Sequence, residues 1–184
     1  MNKDRKNAII VGVLIIFAYA VLASSVIDSK IVIMISQVLS GLAVIGIAII
    51  MYPLFKSYGK KVSFLYIVGR SIEGGLMIIA GILFLISSTL TLYDLIYLVH
   101  TYIFIISALM FYYLLFKSKL IPKFLSIWGI IASILLLIPN LLELTGNTVP
   151  MLISIIGFAP IILNEMVLAI LLITKGFNEN AIKK

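Results

Sequence analysis

Six long apolar stretches dominate the sequence and constrain its fold more than any other feature. They cover residues 8–27, 31–52, 62–86, 95–116, 124–144 and 150–173. Each has about the 20 residues that an α-helix needs to cross a hydrocarbon layer about 30 Å thick. Hydrophobic residues make up 63% of the chain and charged residues 11%, far from the balance of a soluble domain. The sequence therefore predicts an all-α, polytopic membrane bundle, with residues 1–184 forming a single transmembrane domain.

The lysines and arginines predict the orientation of these helices. Twelve of the 14 lie at alternate ends of the apolar stretches, and on the other side Lys30 is alone. The twelve are Lys3, Arg5, Lys6, Lys56, Lys60, Lys61, Lys117, Lys119, Lys123, Lys175, Lys183 and Lys184. Cytoplasmic loops of membrane proteins carry such an excess, so both termini are predicted to be cytoplasmic. The first stretch is long enough to span the membrane, and we expect it to be retained rather than cleaved as a signal peptide.

Several function classes are excluded or disfavoured by composition. The net charge of +7 comes from clusters at helix ends, which indicates membrane topology rather than a nucleic-acid partner. The chain has no cysteine and one histidine, so thiolate metal sites and a haem held by two histidines are not possible. We expect no metal and no cofactor. The expected partners are membrane lipids and a small-molecule or lipid ligand.

The ionisable residues inside the spans form the first candidate site. A charge at the centre of a membrane helix costs about 2.5 kcal/mol or more, so such residues usually have a function or a partner. Arg70 and Glu73 share one face of the third span at i, i+3, and Asn164 and Glu165 lie together on the sixth. Because Arg70 and Glu165 are each eight residues from the inner ends of their spans, we expect them to form an ion pair between helices. Glu73 then either completes a triad with them or faces a water-filled cavity.

A second polar layer is predicted nearer the outer side. It comprises Gln37, His100, Asn140 and Glu143. Pro139 removes the hydrogen bond to the carbonyl of Leu135, and Pro160 does the same for Ile156, so either can kink its helix. Helix breaks beside polar residues often form sites in membrane proteins.

Three segments resemble a known family of multi-pass bacterial membrane proteins, the domain of unknown function 4386. They are Gly69-Arg70-Ser-Ile-Glu73-Gly74, the run from Leu114 to Ile131, and the ending from Asn164 to Phe177. The resemblance implies six helices and a prokaryotic cytoplasmic membrane, but no activity. By this resemblance, Arg70, Glu73, Trp128, Gly129 and Glu165 match positions that family members tend to share. The last helix departs from the family, because many relatives have a Trp near the position of Leu171.

Three hypotheses about function remain open at this point. The protein binds or transports a small or amphipathic ligand at the polar cluster, which requires a cavity that reaches Arg70. It is an intramembrane enzyme acting on a lipid or isoprenoid, with Glu73 or Glu165 as acid or base and His100 as a participant. Or it is a structural or accessory subunit that uses Arg70 and Glu165 as a helix clasp, works with a partner or as a homo-oligomer, and has no cavity.

Overall fold

The computed structural model describes residues 2–24, 27, 29–86, 91–146 and 148–182, and every regular element in these ranges is an α-helix. The helices are α1 Lys3–Ala23, α2 Lys30–Lys56, α3 Lys60–Ile86, α4 Thr91–Ser118, α5 Lys123–Leu135, α6 Leu137–Leu144, α7 Met151–Thr174 and α8 Glu179–Ile182. Six segments are long and apolar enough to span a membrane, and α5 with α6 forms the fifth. The six predicted spans are confirmed. Residues 25 and 26 of the first predicted span, with Lys183 and Lys184, lie outside the described residues.

Most helices are longer than the apolar stretches that predicted them. Helix α2 continues to Lys56 and α3 already begins at Lys60, so only three residues separate them. A lysine at a helix end keeps its stem along apolar surface while its ammonium reaches water. Helical structure therefore extends beyond the hydrocarbon, at what we call the lysine-rich end of the bundle, where α1, α3 and α5 begin and α2, α4 and α7 end.

The fifth span is broken where the sequence predicted a break. Helix α5 ends at Leu135 and α6 begins at Leu137, because Pro139 has no N–H to donate to the carbonyl of Leu135. At the break, the side-chain amide of Asn140 donates to the carbonyl of the next residue, Leu136, at 2.7 Å. Pro160 has a smaller effect, since α7 runs through it without interruption.

The six spans form a closed ring in chain order. Helix α1 packs on α2, α2 on α3, α3 on α4, α4 on α5, and α5 on α7, which returns to α1. Closure between the first and last spans is reinforced at the lysine-rich end, where the Arg5 guanidinium donates to the carbonyls of Leu172, Ile173 and Thr174 at 3.1, 2.7 and 2.9 Å. These carbonyls lack partners within their own helix, and a cation is favourable there.

Two glycines bring the backbones of α2 and α3 close together. Gly41 and Gly74 face each other so closely that a Cβ on either one would lie 2.5 Å from the backbone oxygen of the other. Small residues allow this approach, which is common between membrane helices. The outer surface of the ring is apolar, with residues such as Ile49, Ile106 and Leu163 more than half exposed. Exposed apolar surface on every side indicates that lipid surrounds the bundle.

Candidate functional site

A cavity of about 190 Å³ lies inside the ring, and all six spans contribute to its lining. Arg70, ten residues into α3, lies about 15 Å along that helix from the lysine-rich end. The cavity reaches from there toward the opposite end, where Leu22 and Tyr97 line it. Tyr97 is 47% exposed, so it contributes both to this wall and to the outer surface of the bundle. Most other lining residues are apolar, among them Ile15, Val44 and Phe104.

Arg70 and Glu73 form a buried ion pair in the cavity wall. Nη1 of Arg70 donates to Oε1 of Glu73 at 2.9 Å and to Oε2 at 3.2 Å. The i, i+3 spacing places both side chains on one face of α3, so the pair forms within a single helix. Each charge thus has a partner inside the bundle, where an unpaired buried charge is costly.

The predicted ion pair between Arg70 and Glu165 is wrong. Among the described residues, the ion pair of Arg70 with Glu73 is the one that forms. The two residues do lie at similar depths and line the same cavity. Their helices, however, lie on opposite sides of the ring and share no extensive contact. Equal depth along two helices does not establish that their side chains meet, and here the cavity separates them.

Aromatic rings surround the guanidinium of Arg70. Its Cζ lies 5.4 Å from the ring centroid of Phe104, 5.8 Å from that of Phe111 and 5.9 Å from that of Tyr66. A cation over an aromatic face is attracted by the ring quadrupole. The buried Nε of Arg70 has no hydrogen-bond partner among the described residues. The rings therefore hold the guanidinium in place, with its buried Nε unpaired among the described residues.

Glu165 faces the cavity from α7 with its carboxylate beside the hydroxyl of Tyr19 on α1. It forms no ion pair with the cations that the structure describes. The cavity wall therefore contains two carboxyl groups and one guanidinium, and the guanidinium is paired with Glu73. Sequence reasoning missed Tyr19. Its signal was present, because Tyr19 lies one turn beyond Ile15 on the side of α1 that faces the ring.

Asn164, the remaining member of the predicted cluster, faces a different neighbour. It is fully buried, and its amide donates to the carbonyl of Leu125 on α5 at 2.9 Å. It is not among the residues that line the central cavity. Its contact ties α7 to α5 beside the site, and its role as a ligand-binding residue stays a prediction.

The four residues of the second polar layer are divided among three places. His100 lines the central cavity, and its buried Nδ1 has no partner among the described residues. Gln37 packs against α3, where a Cβ on Gly81 would lie 2.8 Å from the Cβ of Gln37. Asn140 and Glu143 line a separate cavity of about 340 Å³. Only His100 thus joins Arg70, Glu73 and Glu165, and in the described part of the chain no three His, Asp or Glu residues are grouped as a metal site.

These features define a multi-pass membrane protein with a ring of six helices around a mostly apolar internal cavity that contains Arg70, Glu73 and Glu165 in its wall. Residues 84–176, just over half of the chain, match the family described as "Domain of unknown function (DUF4386)", and the chain belongs to this family. The matched range includes Trp128, Gly129 and Glu165, while Arg70 and Glu73 precede it. No curated protein and no solved structure matches the chain.

Proposed function

We propose that this protein binds a small amphipathic molecule inside its ring of helices, as a receptor or as the binding site of a transporter. The observation that carries the proposal is the cavity itself, which reaches Arg70 through a mostly apolar interior. A structural clasp requires no internal cavity. A buried guanidinium in the wall of an apolar cavity is suited to holding the polar end of a ligand.

The size and chemistry of the cavity limit what it can hold. An apolar cavity of about 150 Å³ accommodates benzene, so about 190 Å³ suits a short apolar body with a small polar group. The guanidinium of Arg70 favours an acceptor on the ligand, and the carboxyl of Glu165 favours a donor. The ligand therefore has one polar end that both accepts and donates hydrogen bonds, and its remainder is apolar.

An enzymatic role has less support. The carboxylate of Glu73 is held by Arg70 at 2.9 and 3.2 Å, which removes it as a free general base. Glu165 and His100 remain as candidate acid and base groups. Binding alone, however, needs only the groups that line the cavity and no acid–base chemistry.

Small amphipaths test the proposed binding directly. We expect hexanol, whose hydroxyl both donates and accepts hydrogen bonds, to raise the thermal unfolding midpoint of the purified protein in detergent. A ligand at a hundred times its Kd stabilises by about 2.7 kcal/mol. The control is Ala18→Phe, which places a ring in the cavity, with Val44→Phe as a second filling variant. Stabilisation that is equal in wild type and in both filled variants contradicts the proposal, because it places binding elsewhere.

We also propose that the lysine-rich end faces the cytoplasm of a prokaryotic cell and that the protein resides in its cytoplasmic membrane. The distribution of lysines supports this orientation, and the family resemblance supports the location. The absence of cysteine from the sequence makes single-cysteine labelling unambiguous. We expect a membrane-impermeant maleimide to label Thr148→Cys in intact cells and Ser57→Cys only after lysis, since these residues lie in loops at opposite ends. The reverse pattern contradicts the orientation.

A further inference from the structure

Another cavity, at the lysine-rich end, has a chemistry unlike that of the central cavity. It measures about 450 Å³ and lies between the loop joining α4 to α5 and the segment that follows α7. Lys119, Lys123 and Lys175 line it, and no carboxylate does. The three lysines come from two distant parts of the chain, so their convergence is a property of the fold.

Specific contacts build this lysine cavity. The backbone N–H of Asn178 donates to the carbonyl of Leu120 at 2.9 Å, and its side-chain amide to that of Lys119 at 3.3 Å. Lys119 has a φ of 56°, and Gly176, two residues beyond the end of α7, has a φ of 78°. Both are left-handed conformations, which for Lys119 is uncommon and requires support from its surroundings. The segment after α7 is thereby fixed against the α4–α5 loop.

The three ammonium groups lack negative partners. None of them forms an ion pair with any carboxylate that the structure describes. The Nζ of Lys123 lies 5.8 Å from the ring centroid of Phe116, and the cavity also borders the start of α5, the positive end of that helix dipole. The positive-inside rule explains why lysines are at this end, but it does not explain why three surround one cavity without an anion.

We propose that the lysine cavity binds the phosphate head group of an anionic phospholipid. Basic pockets between membrane helices at this depth suit such head groups, and each lysine adds about 1 kcal/mol. Apolar surface continues from the cavity into the membrane, where Phe124 is 61% and Ile170 57% exposed. A lipid whose phosphate lies among the three lysines can place its acyl chains along α5 and α7. This site is independent of the ligand proposed for the central cavity.

Two triple variants with the same change of charge provide the test. Lys119→Gln/Lys123→Gln/Lys175→Gln removes the cavity lysines, and Lys56→Gln/Lys60→Gln/Lys61→Gln removes three at the same end that do not line it. The measurement is the unfolding midpoint in detergent as phosphatidylglycerol, phosphatidylcholine with the same acyl chains, or inorganic phosphate is added. We expect phosphatidylglycerol alone to raise the midpoint of the wild type and of the second variant, but not of the first.

Other outcomes overturn the proposal. If both triple variants lose the stabilisation by phosphatidylglycerol equally, the effect depends on total charge and not on this cavity. If neither variant loses it, the lipid binds elsewhere. Stabilisation by inorganic phosphate as strong as that by the lipid assigns the cavity to a soluble anion. If the triple variant does not fold, Lys175→Gln alone is measured in its place. Its affinity for phosphatidylglycerol is expected to be about fivefold lower than that of the wild type. An unchanged affinity in that variant contradicts the site.

Discussion

Glu73→Gln is expected to lower the free energy of unfolding by about 3–5 kcal/mol, because it leaves the Arg70 guanidinium buried without a counter-charge. The pair is buried, and Nη1 of Arg70 lies 2.9 Å from Oε1 of Glu73, so the substitution removes a direct contact between charges. Arg70→Met/Glu73→Gln is expected to regain at least half of the loss, since the double variant has no stranded cation. The measurement is reversible unfolding in detergent, followed by circular dichroism.

Glu165→Gln is the matched control for that experiment. It makes the same chemical change at a carboxyl group of the same cavity, but Glu165 has no ion pair among the described residues. We expect a change of no more than about 1 kcal/mol. Equal losses for Glu73→Gln and Glu165→Gln contradict the structure and favour the ion pair between α3 and α7 that the sequence suggested.

Gly74→Ala is expected to destabilise the bundle by about 1–3 kcal/mol through overpacking. Its Cβ would lie 2.5 Å from the carbonyl oxygen of Gly41 and 2.6 Å from Cγ1 of Ile45. The first contact is with backbone, so it is relieved only when α2 and α3 move apart. The measurement is again the free energy of unfolding in detergent.

The neighbouring glycine provides the control. A Cβ on Gly75 would meet nothing within 4 Å, and alanine is favoured over glycine in a helix by about 0.5–1 kcal/mol. Gly75→Ala is therefore expected to be neutral or slightly stabilising. If both substitutions destabilise equally, glycine is needed in this segment for a reason other than the close approach of α2 and α3.

The sequence was sufficient to predict features that depend on one helix at a time. Length and hydropathy defined the spans, and Pro139 located the break because a missing N–H acts on the helix that contains it. Arg70 and Glu73 were identified as neighbours on one face by their spacing. Each of these follows from local chemistry that does not depend on how the helices are arranged.

Features that depend on the rotation and order of the helices were not predictable in the same way. The depths of Arg70 and Glu165 agree, yet the two side chains face each other across a cavity. Asn164 directly precedes Glu165 and faces α5 instead, because adjacent residues point about 100° apart on a helix with 3.6 residues per turn. Gln37 and His100 were likewise predicted to lie in one layer, but Gln37 packs against α3 whereas His100 lines the central cavity. The sequence indicates how deep in the membrane a residue lies. The direction in which its side chain points depends on how the helices pack.

Native mass spectrometry of the protein purified from its own membranes tests the central claim most directly, with Ala18→Phe purified in parallel. The proposed function predicts that wild type retains a small bound molecule that the filled variant lacks, while both retain the same annular lipids. A wild type that carries no molecule absent from Ala18→Phe contradicts the claim that the central cavity is a binding site.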